Sequence, residues 1–315
     1  MSALDKKKQS VSLLLSRFRG WIQAAATLLT NIHLPNFFKG GIYQGKGKSV
    51  CVPGLNCYSC PAASGACPIG AFQAVVGSSK FRFSYYITGI LILLGVLLGR
   101  FICGFLCPFG WFQELLHKIP SPKLSTKKLK PLRYLKYAVL LVMVVLLPLL
   151  AVNELGMGDP FFCKYLCPQG VLEGAIPLSL TNAGIRAALG KLFTWKACIL
   201  LAVIMGSVVF YRPFCKWLCP LGAFYALLNK VSLVQMKVDQ SKCISCGKCA
   251  RACKMDVDVT KSPNHTECIR CGMCVRACPT NAVRFRCGFG TGKQGTVLPE
   301  KTNKQMNDIV KEKKS

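Results

Sequence analysis

Eight cysteines near the C-terminus constrain the fold of this 315-residue chain more than any other feature. They form the run Cys-x2-Cys-x2-Cys-x3-Cys twice, from Cys243 to Cys253 and from Cys268 to Cys278, with 14 residues between the runs. A cytoplasmic segment so rich in thiols would be kept reduced, so the spacing indicates metal ligation rather than disulfides. The two runs therefore predict a metal-binding domain at the C-terminal end.

The spacing further specifies which cysteines share a metal centre. The second run ends in Cys278-Pro279, and the pattern is that of bacterial two-cluster ferredoxins, in which each fourth cysteine ligates the other cluster. The alternative is a pair of structural zinc sites, although zinc motifs normally pair two short knuckles. One predicted [4Fe–4S] cluster is held by Cys243, Cys246, Cys249 and Cys278, and the second by Cys268, Cys271, Cys274 and Cys253.

The chain upstream of these runs is apolar in blocks, with 52% hydrophobic and 17% charged residues over the whole sequence. Four apolar stretches lack Lys, Arg, Asp and Glu, and with their flanks each approaches the roughly 20 residues that a membrane-spanning helix needs. They are Gly20–Phe38, Phe83–Gly99, Tyr137–Asn153 and Ala197–Tyr211. Polar residues interrupt the first, for which the alternative is an amphipathic helix lying in the membrane interface.

The basic residues between these stretches predict an orientation. Leaving out Arg100 at a span boundary, five precede the first stretch, seven lie between the second and third, and nineteen follow the fourth, against five and four in the other two loops. Since Lys and Arg are enriched on the cytoplasmic side, both termini and the middle loop are predicted to be cytoplasmic. The same pattern explains most of the net charge of +29, which favours attraction to anionic lipid over binding of nucleic acid.

These observations predict a mainly α fold, a polytopic membrane domain of four helices followed by a small α+β domain of the bacterial two-cluster ferredoxin type. The predicted domain boundaries are a basic cytoplasmic tail over 1–19, the membrane domain over 20–235, the ferredoxin-like domain over 236–290 and a basic, disordered tail over 291–315.

A second cysteine motif, Cys-Pro-x-Gly, recurs four times in the membrane domain. Each copy follows one apolar stretch, so alternate copies are predicted to lie on opposite faces of the membrane. The copies begin at Cys67, Cys107, Cys167 and Cys219, and a further cysteine lies four residues before the last three, at Cys103, Cys163 and Cys215. The first copy instead follows Cys51, Cys57 and Cys60.

Paired motifs on one face could supply the four thiolates that an iron–sulfur cluster requires. Cysteines at i and i+4 share one face of a helical turn, the proline ends that turn, and the glycine permits a tight path. The alternatives are buried small hydrophobes and, especially outside, a thiol–disulfide relay. The predicted inner-face cluster uses Cys103, Cys107, Cys215 and Cys219, and the outer-face cluster or thiol site uses Cys57, Cys60, Cys67, Cys163 and Cys167.

Apolar spans that end in Cys-x3-Cys-Pro, followed by two ferredoxin motifs, resemble the membrane-bound iron–sulfur proteins of the NapH/NosR type. The resemblance covers about residues 83–286. It implies electron transfer in a bacterial or archaeal cytoplasmic membrane, linked to quinol oxidation and to respiratory reductases. The extra cysteines Cys51–Cys67 and Cys163/Cys167 depart from the nitrate-reductase subunit's pattern and favour electron passage across the whole membrane.

The sequence as a whole therefore predicts an electron-transfer protein and shows no motif for nucleotide binding, hydrolysis or a metalloprotease. It would relay electrons between a cytoplasmic donor or acceptor and quinone or an outer-face redox protein. It would do so as a subunit of a larger redox complex such as a quinol-linked oxidoreductase. The alternatives are an assembly factor for a respiratory metalloenzyme and a redox sensor. His33, His117 and Glu114 are candidate proton-handling groups, Cys198 is predicted to pack in a span, and Cys51 and Cys287 have no assigned role.

Overall fold

A computed structural model describes residues 3–78, 85–152 and 158–288. The predicted tail over 291–315, Phe83 at the start of the second predicted span and Asn153 at the end of the third lie outside these residues.

Helices dominate the described chain, and one two-stranded sheet lies near its C-terminal end. The α-helices are Ala3–Thr30, Asn36–Lys39, Pro68–Gly77, Tyr85–Leu97, Phe101–Phe105, Pro108–Leu116, Leu135–Val139, Leu147–Leu150, Ile176–Thr181, Ala183–Ala187, Lys191–Val209, Pro213–Trp217, Pro220–Leu228, Lys248–Ala252 and Met273–Ala277. Two segments are 3₁₀-helical, Lys46–Ser49 and Lys127–Tyr134, and three are π-helical, Leu140–Leu146, Phe162–Leu166 and Gly170–Ala175.

The Cys-Pro motifs act as helix starts. The cysteine before each proline has an extended backbone, with ψ of 126°, 115°, 114° and 111° at Cys67, Cys107, Cys167 and Cys219. Steric contact with the proline ring favours this extended conformation. Proline then begins three of the helices that follow, where its missing N–H and fixed φ are tolerated. The motif therefore leaves each cysteine at a sharp turn in the chain.

Among the described residues, two helices are long and apolar enough to cross a membrane, so the predicted set of four spans is not confirmed. They are Lys127–Leu150, with 24 residues, and Lys191–Val209, with 19. Only 22% and 17% of their most apolar windows are buried, so most of their apolar surface is not covered by protein. They contain most of the third and fourth predicted spans.

The other two predicted spans differ from the structure. The described part of the second, Tyr85–Leu97, has 13 helical residues, about 20 Å at 1.5 Å per residue, and this described part alone is shorter than a hydrocarbon core of about 30 Å. The first helix begins at Ala3 and ends at Thr30, well before Phe38, because the following segment turns back toward the protein, where the His33 N–H donates to the Ala62 carbonyl at 3.1 Å.

The N-terminal helix Ala3–Thr30 has its polar side turned inward. Ser12, Ser16, Arg19 and Gln23 lie on one face and are 1–9% exposed. Trp21 and Leu29 lie on the opposite side and are 77% and 69% exposed. A helix of a water-soluble protein shows the reverse pattern, so this inverted polarity is what contact with lipid would favour.

The C-terminal part has a compact sheet and two short helices. The strands Val234–Val238 and Val283–Cys287 pair antiparallel, with Met236 opposite Phe285. Met236 and Phe285 pack in a core with Phe105 from the helical part. The N-terminal helix adds to this contact, because Ser12 Oγ accepts from the Phe285 N–H at 3.1 Å. The ferredoxin-like part is therefore fixed against the helical part.

Candidate metal centres

The first C-terminal cysteine set lines a cleft at the protein surface. We call this set site 1. Its wall also contains Ile244, which is 64% exposed. Because one side of the cleft is open, an external molecule can approach this site closely. The cleft is lined by Cys243, Cys246, Cys249 and Cys278, the four residues that the spacing assigned to one cluster.

The second C-terminal set, Cys253, Cys268, Cys271 and Cys274, forms site 2. Burial, and then the neighbouring thiolates of Cys268, Cys271 and Cys253, raise the pKa of the Cys274 thiol well above its usual value. Cys249 of site 1 contributes in the same direction, so the two sites are neighbours. The structure thus brings together both sets as the spacing grouped them.

The two C-terminal runs share a backbone conformation that wraps each around its centre. The residue before the second cysteine has positive φ in both, 53° at Ser245 and 51° at Arg270. The glycine after that cysteine does too, 67° at Gly247 and 77° at Gly272. Left-handed backbone is costly except at glycine, and turns that contain left-handed residues can direct backbone N–H groups into a concave anion-binding loop.

The inner-face cysteines also meet. We call Cys103, Cys107, Cys215 and Cys219 site 3; all four are 6–8% exposed. Burial, and then the thiolates of Cys215, Cys103 and Cys107, raise the pKa of the Cys219 thiol well above its usual value. The Gly222 N–H donates to Cys219 Sγ at 3.3 Å. Two span-end motifs, 112 positions apart in sequence, therefore face one another.

Two buried arginines flank site 3 in a crossed arrangement. Arg100 and Arg212 each lie three residues before the first cysteine of one motif and pack against the glycine of the other. A Cβ at Gly222 would lie 3.7 Å from Arg100 Nη2, and one at Gly110 would lie 3.2 Å from Arg212 Nη2. Among the described residues, neither Nη2 atom has a hydrogen-bond partner. Buried guanidinium donors left free beside four thiols fit an anionic group such as an iron–sulfur cluster.

The outer-face cysteines gather less completely than predicted. Cys57, Cys67, Cys163 and Cys167 form site 4, where burial and then the thiolates of Cys163, Cys57 and Cys67 raise the pKa of the Cys167 thiol. Cys60, the fifth predicted member, is 1% exposed and its Sγ lies 3.6 Å from Asn31 Oδ1. The structure therefore groups four of the five thiols and directs Cys60 toward the N-terminal helix.

One loop connects sites 3 and 4. The Leu55 N–H faces the Cys107 thiol and the Asn56 N–H faces the Cys67 thiol, and each favours the thiolate. Since consecutive amide nitrogens are less than about 4 Å apart, the two sulfurs lie within roughly 12 Å. Leu55 and Asn56 are fully buried within the protein. The loop folds inward because Gly54 has no side chain to hold it away from Cys107.

Sites 2 and 3 also touch through backbone. Gly104, between the two cysteines of its motif, packs so closely on the Ile269 carbonyl that a Cβ would collide with it. The Arg270 Nη1 atom donates to the Leu98 carbonyl at 2.9 Å, and Nη2 donates to the Asn229 carbonyl. Two amide hydrogen bonds from Asn229, to the His265 and Cys268 carbonyls, complete this contact. Site 2 is therefore the C-terminal site that borders the helical part.

Two buried glutamines, which the sequence analysis did not single out, contact sites 3 and 4. Gln113 Nε2 donates to Cys215 Sγ at 3.1 Å, and Gln73 Nε2 donates to Cys163 Sγ at 3.2 Å. Both are 0% exposed. Each lies six residues after the cysteine of a Cys-Pro motif, a repeat that comparing the four copies would have detected.

Glu114, predicted as a proton-handling group, is instead fixed in an ion-pair network. It lies between Arg212, Arg19 and the hydroxyl of Tyr211. Burial by itself would raise the pKa of Glu114, but Arg212 and Arg19 lower it to about 2. A carboxylate with this pKa stays ionised near neutral pH, so the predicted proton-handling role is wrong.

Except for Cys51, the remaining predicted residues lie apart from the four sites. His33 stacks on Tyr43 with ring centroids 3.7 Å apart. His117 is buried, with Nδ1 3.3 Å from the Ser207 carbonyl oxygen. Cys198 is exposed on the helix Lys191–Val209 rather than packed, and Cys287 is exposed at the end of its strand. Cys51 lies near Cys67.

The four sites have donor sets suited to iron–sulfur clusters. Each offers four thiols, and the membrane-domain sites add amide N–H groups directed at sulfur. Among the described residues, no three His, Cys, Asp or Glu side chains are close enough to hold a single metal ion. A four-iron cluster places one thiolate on each iron, so its ligands are further apart than those of one ion.

Comparison with known families assigns both halves of the cysteine pattern to iron–sulfur domains. Four segments match one family described as a 4Fe–4S binding domain, at residues 65–86, 83–127, 137–176 and 193–239. Each segment contains one Cys-Pro-x-Gly motif. Two further segments, 236–257 and 262–284, match a second family with the same description. The chain therefore contains 4Fe–4S binding domains along most of its length.

The chain is also similar to curated proteins over about half its length. It is 30% identical to an uncharacterised protein of Methanocaldococcus jannaschii over 55% of this chain and 66% of that protein. It is 26% identical to the methylamine utilization ferredoxin-type protein MauN of Methylorubrum extorquens, over 60% and 56%. It is 25% identical to the ferredoxin-type protein NapH of Haemophilus influenzae, over 56% and 54%.

The chain thus spans about half to two thirds of the length of these relatives. No solved structure matches it. The predicted resemblance to NapH/NosR-type ferredoxin-type electron-transport proteins is confirmed.

Proposed function

We propose that this chain is a membrane-integral electron-transfer protein whose four cysteine sites each hold one [4Fe–4S] cluster. It relays electrons between a cytoplasmic redox partner and quinone or a redox protein on the outer face, as part of a larger redox complex. The observation that carries this proposal is the order of the sites. Site 1 neighbours site 2, site 2 borders site 3 through Gly104 and Ile269, and site 3 is joined to site 4 by Leu55 and Asn56.

A [4Fe–4S] cluster supplies one-electron chemistry whose potential depends on net charge, hydrogen bonds to sulfur and solvent exposure. The chain supplies those three conditions differently at each site. Site 1 is open on one side, the four thiols of site 3 are buried, and site 4 combines two buried thiols with two half-buried ones. Arg100 and Arg212 offset negative charge at site 3. At site 4 the nearest ionisable groups include Lys196, whose Nζ donates to the Cys163 carbonyl at 3.1 Å.

Tyr225 and the loop Pro53–Asn56 separate sites 3 and 4 with protein rather than water. Tyr225 is 0% exposed, and its hydroxyl donates to the Pro53 carbonyl at 3.0 Å. Burial raises the pKa of the Tyr225 hydroxyl, and so do Cys103 and Cys107 of site 3 and Cys67 of site 4. A non-helical loop between two sites inside a membrane protein is tolerated because protein, not lipid, surrounds it.

The proposed orientation places both termini in the cytoplasm, with the loops of 39–82 and 158–190 outside. Lys and Arg density supports this orientation. So does a contact between the two outer loops, since a Cβ at Gly40 would lie 2.8 Å from Thr181 Oγ1. The cytoplasmic partner then meets site 1 at the exposed Ile244, beside the exposed basic residues Lys248 and Arg251.

The iron content of the purified protein tests the proposal. Four [4Fe–4S] clusters require about sixteen irons per chain. Cys219→Ser and Cys167→Ser should each remove about four, at site 3 and site 4 respectively, while Cys198→Ser, an exposed cysteine outside the sites, should remove none. About eight irons in the unaltered protein would contradict clusters at sites 3 and 4. About twelve would contradict one of them.

Reduction by quinol separates electron relay from a role in enzyme assembly. The relay predicts that a membrane quinol reduces the protein's iron–sulfur centres rapidly, and that Cys167→Ser alters this reaction. A protein with sixteen irons that neither quinol nor an outer-face redox protein reduces or oxidises would argue against the relay.

A further inference from the structure

The sixth residue after each Cys-Pro cysteine lies against one of the membrane-domain sites. These residues are Gln73, Gln113, Glu173 and Tyr225. Glu173 accepts from the Cys57 N–H at 3.0 Å, and Tyr225 lies between sites 3 and 4. The two glutamines touch sulfur directly. A position that contacts a site in all four copies of the motif is suited to controlling that site.

The two glutamines make the same pair of hydrogen bonds. Gln113 Oε1 accepts from the Phe214 N–H at 3.2 Å while its Nε2 donates to Cys215 Sγ at 3.1 Å. Gln73 Oε1 accepts from the Phe162 N–H at 3.0 Å while its Nε2 donates to Cys163 Sγ at 3.2 Å. Each amide group therefore contacts two atoms around one cysteine: the backbone nitrogen of the preceding phenylalanine and the sulfur of the cysteine itself.

The backbone contact fixes which end of the amide faces the sulfur. A backbone N–H can only donate, so the atom that faces Phe214 or Phe162 must be the carbonyl oxygen. The NH₂ group is then directed at the cysteine. The same amide also donates to a backbone carbonyl one turn earlier, Phe109 at 3.3 Å for Gln113 and Ile69 at 3.4 Å for Gln73. Neither side chain can reverse its amide without losing these bonds.

An N–H directed at a thiolate stabilises negative charge on sulfur. Reduction adds negative charge to a cluster, so hydrogen bonds to its sulfurs are among the factors that set the potential. Both glutamines are fully buried, where such a bond is electrostatically stronger than in water. Each should therefore favour the reduced form of its own site.

We propose that Gln113 and Gln73 are positioning residues, which orient Cys215 and Cys163 and raise the reduction potential of sites 3 and 4 respectively through an N–H···S hydrogen bond. This inference rests on the proposed function, since it requires a cluster at each of these sites.

Two substitutions at each position test it. Gln113→Glu keeps an oxygen for the Phe214 N–H and removes the amide donor, and Gln113→Met removes both contacts in a side chain of similar length. Gln73→Glu and Gln73→Met do the same at site 4. Gln235→Glu is the matched control, because Gln235 is also buried but lies on the strand Val234–Val238, outside the four motifs.

The readout is a redox titration of the purified full chain, followed by electron paramagnetic resonance, with iron measured in parallel. The expected result is unchanged iron, a lower midpoint potential for one centre in the Gln113 variants and for a different centre in the Gln73 variants, and no shift in Gln235→Glu. Full iron with no shift in either variant at a position would overturn the inference. Equal loss of iron in the Glu and Met variants would also overturn it, because the glutamine would then have only a role in folding. If the unaltered protein holds only about eight irons, the proposed function itself fails, and the two failures are distinguishable.

Discussion

At the scale of single residues, a buried carboxylate fastens the two parts of the molecule together. Glu267, next to Cys268 of site 2, is 3% exposed. Its oxygens lie 2.9 Å from Arg100 Nη1 and 2.5 Å from Lys136 Nζ. Burial would raise the pKa of Glu267, but Arg100 and Lys136 lower it to about 2. The carboxylate therefore stays ionised and neutralises charge that would otherwise be buried alone.

Glu267→Gln should destabilise this contact strongly. Removing one partner of a buried ion pair costs about 3–5 kcal/mol, because the other charges stay buried and unpaired. We expect earlier thermal loss of the visible absorbance of the C-terminal centres.

The matched control is Asp159→Asn, which breaks the ion pair with Lys164, where both side chains are 39% exposed. An exposed pair contributes about 0–1 kcal/mol, so this variant should unfold at nearly the original temperature. Equal destabilisation by the two substitutions would contradict the role assigned to Glu267.

The cysteines and the groups around them differ in how well sequence predicts them. A thiol ligand is apparent from spacing, because the spacing is set by the cluster it would hold. The surrounding donors come from the opposite motif, as Arg212 packs on Gly110 and Gln113 reaches Cys215. Such a partner depends on three-dimensional packing. Its only sequence signal is the repeated offset of each residue from the Cys-Pro pair.

At the scale of elements, the loop around Gly54 determines how closely sites 3 and 4 approach. A Cβ at Gly54 would lie 2.8 Å from Cys107 Cα and 3.1 Å from the Leu106 carbonyl oxygen. Both are backbone atoms and cannot move aside cheaply. Gly54→Val should therefore push the loop away from Cys107, at a cost of about 1–3 kcal/mol for overpacking.

The expected consequence is slower electron exchange between sites 3 and 4 with all iron retained. Rapid-mixing spectroscopy of the purified chain, reduced from site 1, would measure it. Gly41→Val is the control, since no atom lies within 4 Å of a Cβ at that position. Unchanged kinetics in Gly54→Val would show that the loop does not set the separation.

The lengths of the helices were the least predictable feature of the secondary structure. The third and fourth apolar stretches overlap Lys127–Leu150 and Lys191–Val209, where continuous apolar sequence and helical structure coincide. The first stretch did not predict the bounds of its helix, because its apolar residues belong to a longer helix whose buried side is polar. Charge-free length alone cannot distinguish the two cases, since the contacts that bury Arg19 come from Gly104 and Glu114, far along the chain.

At the scale of the whole molecule, the proposed orientation predicts which surfaces reagents reach in intact cells. With the exposed Cys198 and Cys287 first changed to serine, Leu180→Cys should react with a membrane-impermeant maleimide from outside, since Leu180 is 74% exposed. Lys261→Cys, exposed on the ferredoxin-like part, should react only after the membrane is permeabilised. If Leu180→Cys were labelled only after permeabilisation, the proposed orientation would be contradicted.

The overall architecture was predictable in its parts but not in their arrangement. The mainly helical composition and the paired C-terminal runs followed from sequence, because helix starts and cluster motifs are local. The inward course of the loop over 51–67 did not, because it depends on Tyr225 and Gly54 meeting partners more than 50 residues away. Sulfurs of sites 3 and 4 consequently lie within roughly 12 Å of one another.

The contacts of the N-terminal helix constrain the order in which the protein is made. Gln9 Nε2 donates to the Val283 carbonyl at 3.4 Å, across 274 positions of sequence. At about 5–20 residues per second, the ribosome needs roughly 15–55 s to supply that partner. The helix Ala3–Thr30 is therefore synthesised well before the strand it contacts, and its contacts with the ferredoxin-like part form only after that interval.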